Sequence, residues 1–176
     1  MTVKNLTLVH YCHKDCEPFF NIMRLPREEA FALAGKMAAE HPDTTAFGRF
    51  ADLENYYELR KAQDAFLYAE FLKKGGQPEE THPLSFVVEG SDYLAEWFDF
   101  GKEYRLPLAD IAPEHISFTV GDSGAVFQNT GRAEVLTVGE LNERMADFAS
   151  FESFLRSTGR KYIEAQLWSD QYIKEL

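Results

Sequence analysis

Leu6-Thr7-Leu8-Val9-His10-Tyr11 is a short apolar run rich in β-formers. It predicts a buried N-terminal strand with His10 and Tyr11 at its end. After the polar break at His13-Lys14-Asp15 and the apolar residues Phe19, Phe20, Ile22 and Met23, Leu25-Pro26-Arg27-Glu28-Glu29 opens a helix. Proline is tolerated in the first helical turn, and acids favour the positive end of the helix dipole. Phe31, Leu33, Ala34, Met37 and Ala38 form its core stripe, and His41-Pro42-Asp43 ends it. A longer helix is expected from Asp52, as N-cap, to the Gly75-Gly76 stop. Tyr56, Tyr57, Phe66, Tyr68 and Phe71 are spread round more than one of its faces, which marks it as central.

The second half reads as short strands punctuated by turns and small helices. Strands are expected at 84–88, 104–108, 116–120, 132–136 and 162–168, with Pro107 suiting an edge. In the last of these, Glu164 and Gln166 share one side, and Ile163, Ala165 and Leu167 the other. Short helices are expected at 91–98, after the Thr137-Val138-Gly139-Glu140 capping box, and from Ser150 to near Gly159. Residues after Gly121-Asp122-Ser123-Gly124 do not read as a helix. The expected fold class is α+β. Helices lie mainly in the first half and pack on a mixed or antiparallel sheet built from the N-terminal strand and several short strands of the C-terminal half. No repeat, low-complexity tract or linker interrupts the chain, so residues 1–176 are expected to form a single domain.

Composition narrows the partners. The 176 residues carry a formal net charge of −11 with a pI near 4.9, which lacks the basic field that broad nucleic-acid or anionic-membrane binding requires. The acidic excess lies in the middle: residues 51–100 hold 4 basic and 11 acidic groups, whereas 1–50 hold 6 of each. The neutral chain ends therefore remain compatible with an anionic dinucleotide. No apolar run approaches the roughly 20 residues that cross a bilayer, and no secretory segment is visible. Two cysteines, Cys12 and Cys16, cannot build a disulfide framework, and the expected compartment is the cytoplasm.

Residue spacing discriminates among several chemistries. His10, Cys12, His13 and Cys16 form the densest group of ligating side chains. A zinc site normally needs a second ligand-bearing segment, yet no further Cys exists and His41, His82 and His115 stand singly, so no metal is expected. No Gly-x-Ser-x-Gly elbow, dinucleotide-binding glycine fingerprint or phosphate-binding P-loop is present. Arg60, one turn after Tyr56 and Tyr57 and four residues before Asp64, could grip a phosphate, although an i,i+4 ion pair on a solvated helix face gives the same spacing.

The remaining constellation is spread over three strands, with His10 ending the first, Ser117 and Thr119 in a middle one and Glu164 in the last. Leu8-Val9-His10-Tyr11, Ile116-Ser117-Phe118-Thr119 and Tyr162-Ile163-Glu164-Ala165-Gln166-Leu167-Trp168 resemble the three-part His, Ser/Tyr, Glu signature of the ADP-ribosyltransferase superfamily. The resemblance implies NAD as co-substrate. His10 would anchor the ribose, Ser117 with Thr119, or alternatively Tyr93, would shape the nicotinamide pocket, and Glu164 would be the catalytic carboxylate that stabilises an oxocarbenium-like centre. The whole chain also resembles a set of bacterial proteins, on 50–57, 82–86 and 115–123, a likeness that implies no activity. The rival expectation is a non-enzymatic protein-interaction module, with Trp97, Phe98 and Phe100 as its contact patch.

Overall fold

The computed structural model describes residues 2–174; Met1, Glu175 and Leu176 lie outside the described residues. Five antiparallel strands, β1 (Thr7–Cys12), β2 (Leu84–Val88), β3 (Lys102–Pro107), β4 (Ile116–Val120) and β5 (Ile163–Leu167), form one sheet in the order β3-β1-β2-β5-β4. The fold is α+β, and the two chain ends meet in the sheet because β2 bridges β1 to β5. The proline-bearing strand β3 is an edge, as its missing donor demands. β5 is an inner strand, paired on both sides, so Glu164 and Gln166 are both buried and no amphipathic edge is formed there.

Among the described residues seven α-helices flank the sheet. They are α1 (Arg27–Glu40), α2 (Thr45–Gly48), α3 (Leu53–Lys73), α4 (Asp92–Trp97), α5 (Ser123–Thr130), α6 (Val138–Met145) and α7 (Phe151–Thr158). Asp52 caps α3 by accepting from the Asn55 N–H, and Thr137 and Glu140 form the expected capping box of α6. The helices are less concentrated in the first half than expected, because α5 follows the Gly121-Asp122 turn directly. Asp122 caps it, and Gly131, at φ 68°, ends it in the left-handed region that glycine tolerates best. The strand expected at 132–136 is reduced to one bridge, Phe118 to Leu136.

Register fixes which side chains share a face. Leu8 opposes both Val88 and Leu106, Phe86 opposes Ala165, and Phe118 opposes Ala165 from the other side. These residues form the first face and pack with Leu136, Leu141, Met145, Phe151 and Phe154 from α6, α7 and the chain before them. Val9, Val87, Ser85, Glu164, Gln166, Ser117 and Thr119 take the opposite face by the same alternation. There α3 lays Leu67 and Phe71 against Trp168, while α1, α2 and α4 meet through Met37, Phe47, Trp97 and Phe98. Face one is mainly apolar, with His10 among its buried side chains. Face two carries most of the buried polar groups of the sheet.

Candidate functional site

Between face two and helices α1, α3 and α4 lies a cavity of about 260 Å³. Leu33, Met37, Phe47, Trp97 and Phe98 form an apolar part of its lining, which also includes Leu94 and the charged Glu17 and Arg49. Arg60, Ser85, Tyr93, Asp122, Tyr162 and Glu164 make up a polar end.

α3 delivers Arg60. Its Nε donates to Asp64 Oδ1 at 2.8 Å, its Nη2 reaches Ser85 Oγ at 3.4 Å, and Asp64 Oδ2 lies 2.7 Å from His82 Nδ1. Asp64 is fully buried and Arg60 nearly so, which makes this pair part of the helix face turned toward the sheet and not a solvated one. Burial disfavours the Arg60 charge, but Asp64, Tyr56 and Glu164 together outweigh it and raise its pKa further, so the guanidinium is permanently cationic.

Glu164 sits at the same end, on β5. Its Oε2 accepts from the Ser123 N–H at 2.8 Å and from Thr119 Oγ1 at 3.3 Å. The missed helix α5 thus supplies the donor that fixes this carboxyl. Burial and the neighbouring Asp122 raise its pKa, against Ser123 and Arg60, which lower it. The Tyr162 phenol is likewise pushed up by burial, with Asp122 and Glu164 adding to the shift. The polar end therefore offers a fixed cation, a carboxyl biased toward its neutral form and phenolic hydroxyls. Tyr93 stands over it from α4, stacked on Tyr162 with ring centroids 6.4 Å apart and capped by Lys161 Nζ at 3.8 Å.

The other residues expected at a site are employed elsewhere. Ser117 is fully buried, and its hydroxyl donates to Gln166 Oε1 and accepts from Trp168 Nε1, both at 2.9 Å. Gln166 Nε2 donates to Thr119 Oγ1 at 3.0 Å. This ladder under α3 satisfies polar groups that would otherwise be costly to bury, and neither Ser117 nor Thr119 lines the cavity. His10 borders the cavity, but its ring lies on face one between Phe19 and Phe86. Its Nδ1 donates to the Ser85 carbonyl at 2.9 Å and its Nε2 accepts from the Phe19 N–H at 3.1 Å. Burial lowers its pKa against the opposing Ser85 bond, and the two bonds define a neutral imidazole with both nitrogens occupied. His10 and Glu164 point to opposite sides of the sheet. The structure thus places Glu164 and Tyr93 on one cavity, holds Thr119 against Glu164 from outside it, sends the His10 ring to the other face and ties Ser117 to Gln166 and Trp168.

Spacing alone had undervalued Arg60. A signal was present: 60, 64, 67 and 71 fall on one helical stripe, and Leu67 and Phe71 mark it as the inward one. The Gly121-Asp122-Ser123-Gly124 turn does join a strand to a helix, yet Ser123 is buried and its hydroxyl accepts from Gln63 Nε2 at 2.7 Å, so it is no exposed nucleophile. Trp97 and Phe98 are half-buried and line the cavity, while Phe100 is exposed. No helix among the described residues is long and apolar enough to cross a membrane. No protein-family model matches the chain, and no curated protein or solved structure matches it.

Proposed function

We propose that the protein binds a small organic molecule in the face-two cavity, with an apolar ring or chain between Leu33, Met37, Phe47, Leu94 and Trp97 and an uncharged polar head at Arg60, Tyr162 and Glu164. The observation that carries this reading is that Arg60 and the buried Glu164 carboxyl border one cavity whose lining also includes Leu33, Met37, Phe47, Leu94 and Trp97. Asp64 already neutralises Arg60, and Glu164 is biased toward its neutral form. The end therefore favours a head group that both donates and accepts, such as a primary amide, over an anion. A volume near 260 Å³ falls below the roughly 300–1,000 Å³ of sites for drug-sized ligands, so a single-ring molecule suits it.

A second reading is the ADP-ribosyltransferase chemistry, favoured by one observation, that Glu164 and Tyr93 both border this cavity. In that reading nicotinamide occupies the cavity, Glu164 stabilises the developing positive charge, and His10, Ser117 and Thr119 act only through the fold. The two free cysteines suit a reducing cytoplasm, where we place the protein.

Titration with nicotinamide, followed by Trp97 fluorescence and calorimetry, tests the binding reading, with benzoate as the charged comparison. Saturable binding of nicotinamide in preference to benzoate, lost in Arg60→Met and in Tyr93→Ala, is the expected result. Binding of neither probe, or equal binding by both variants, would overturn it. Release of nicotinamide from NAD, abolished by Glu164→Gln while nicotinamide still binds, separates the transferase reading from simple binding.

A further inference from the structure

We propose that His13, Asp15 and His41 bind one divalent transition-metal ion, zinc in the first place, where the end of β1 meets the end of α1. Sequence spacing left His13 without a second ligand-bearing segment. The fold supplies it, because the residue that ends α1 is His41. One ligand atom from each of the three residues lies within 4.8 Å of the other two. Asp15 Oδ2 is 3.8 Å from His13 Nδ1 and 3.4 Å from His41 Nε2. Tetrahedral zinc with bonds of about 2.0–2.1 Å has ligand-to-ligand edges of about 3.3 Å, so the two Asp15 edges need to close by only about half an ångström or less, and the His13–His41 edge starts within 4.8 Å. Among the described residues this is the one group of His, Cys, Asp or Glu side chains that converges in this way.

The imidazoles are held in place before any ion arrives. Their centroids are 4.4 Å apart, and the Phe47 ring packs at 5.3 Å from His13 and 5.8 Å from His41. A carboxylate stands near the first ligand: His13 Nε2 lies 3.9 Å from Asp99 Oδ2, so the side chain would have to close by about 1 Å to accept from the ring and orient it. Gly101 makes that approach possible, since any Cβ there would strike the main chain of residues 12–14. The Asp15 N–H, 3.3 Å from His13 Nδ1, would exchange this long contact for water when the ion binds. Asp15 is exposed and His41 partly so, which leaves a solvent-facing position for a water ligand.

Cys12 and Cys16 lie outside the group. Burial raises both thiols, which disfavours the thiolate that a metal requires. None of the three ligands lines the cavity, so the metal site and the small-molecule reading stand or fall separately.

The test uses the full chain, purified without chelator, with Zn²⁺ affinity measured by calorimetry and Co²⁺ absorption reporting the ligand type. One ion per chain is expected. His41→Gln and Asp15→Asn, both at solvent-accessible positions, should each weaken Zn²⁺ binding about tenfold or more, and Asp99→Asn about tenfold. The Cys12→Ser/Cys16→Ser double variant should bind as the wild type does. Absence of Zn²⁺ binding at micromolar concentrations overturns the proposal. So does binding untouched by His41→Gln and Asp15→Asn, or a sulfur-to-cobalt charge-transfer band that disappears in the cysteine variant.

Discussion

Replacing Asp64 should be among the most damaging single changes outside the apolar core. Its carboxylate is fully buried and joins Arg60 Nε at 2.8 Å to His82 Nδ1 at 2.7 Å. Asp64→Leu keeps the branched outline of the side chain but strands the Arg60 guanidinium, whose side chain is only 18% exposed. Removing one partner of a buried pair costs about 3–5 kcal/mol. Arg60 retains some access to water and lies within electrostatic reach of Glu164, so the lower end, about 3 kcal/mol, applies. That is about a hundredfold in the unfolding equilibrium. Urea unfolding followed by circular dichroism, at unchanged m-value, measures it. The double variant Arg60→Met/Asp64→Leu removes both charges and should recover most of the loss, to within about 1 kcal/mol of wild type. A cost below about 1 kcal/mol for Asp64→Leu, or a double variant as unstable as the single one, would refute the assignment of a buried, coupled pair.

Three further outcomes follow from the same contacts. The folded protein retains a proton on Glu164 that the unfolded chain releases above the ordinary glutamate value of 4.5, so this stabilisation is complete below that value and lost as pH rises through the raised one. Urea melts from about pH 5 to about pH 7 should therefore show a declining contribution in wild type that Glu164→Gln removes, and an unchanged slope in the variant would count against it. Gly101→Ala forces a Cβ onto the Cys12 carbonyl oxygen and the Lys14 nitrogen, backbone atoms with no side chain to yield, and should cost about 1–3 kcal/mol or more, seen as a lowered Tm. Ser117→Ala leaves the Trp168 N–H and the Gln166 amide without their partner and should cost about 1–3 kcal/mol in urea unfolding, a neutral result showing that the ladder is not tightly coupled.

Local rules account for most elements. The strands at 84–88 and 116–120, the capping box at Thr137 and Glu140, and the Asp52 cap reappear as read, because each depends on neighbours within a turn or two. Helix α5 escaped for the complementary reason. Ser-Gly-Ala-Val-Phe-Gln-Asn-Thr is a poor helix former on propensity, and its support is tertiary: the Asp122 cap, the Ser123 N–H bound to Glu164 and the Gln63 bond to the Ser123 hydroxyl. The bridge at Leu136 stops short of a strand because it pairs with β4 at Phe118 alone.

The site illustrates which relations a sequence states and which it leaves to register. Period-two alternation correctly places Glu164 with Gln166, and Ser117 with Thr119, because each pair shares a strand. It is silent on whether His10 and Glu164 face the same way, since one strand and two pairings intervene: Val9 opposes Val87, and Val87 opposes Glu164. That chain of pairings puts Glu164 on the face of Val9 and sends its neighbour His10 to the other, a parity that one residue of slip in either pairing would reverse. The same logic explains the His13 and His41 encounter. Neither residue carries a local signature of the other, and their meeting depends on how α1 returns its last turn to the end of β1, with Phe47 packed against both rings. Chemistry assembled from one strand or one helix stripe, as with Arg60 and Asp64, is legible in principle; chemistry assembled across a sheet or at a helix return depends on contacts that no local spacing encodes.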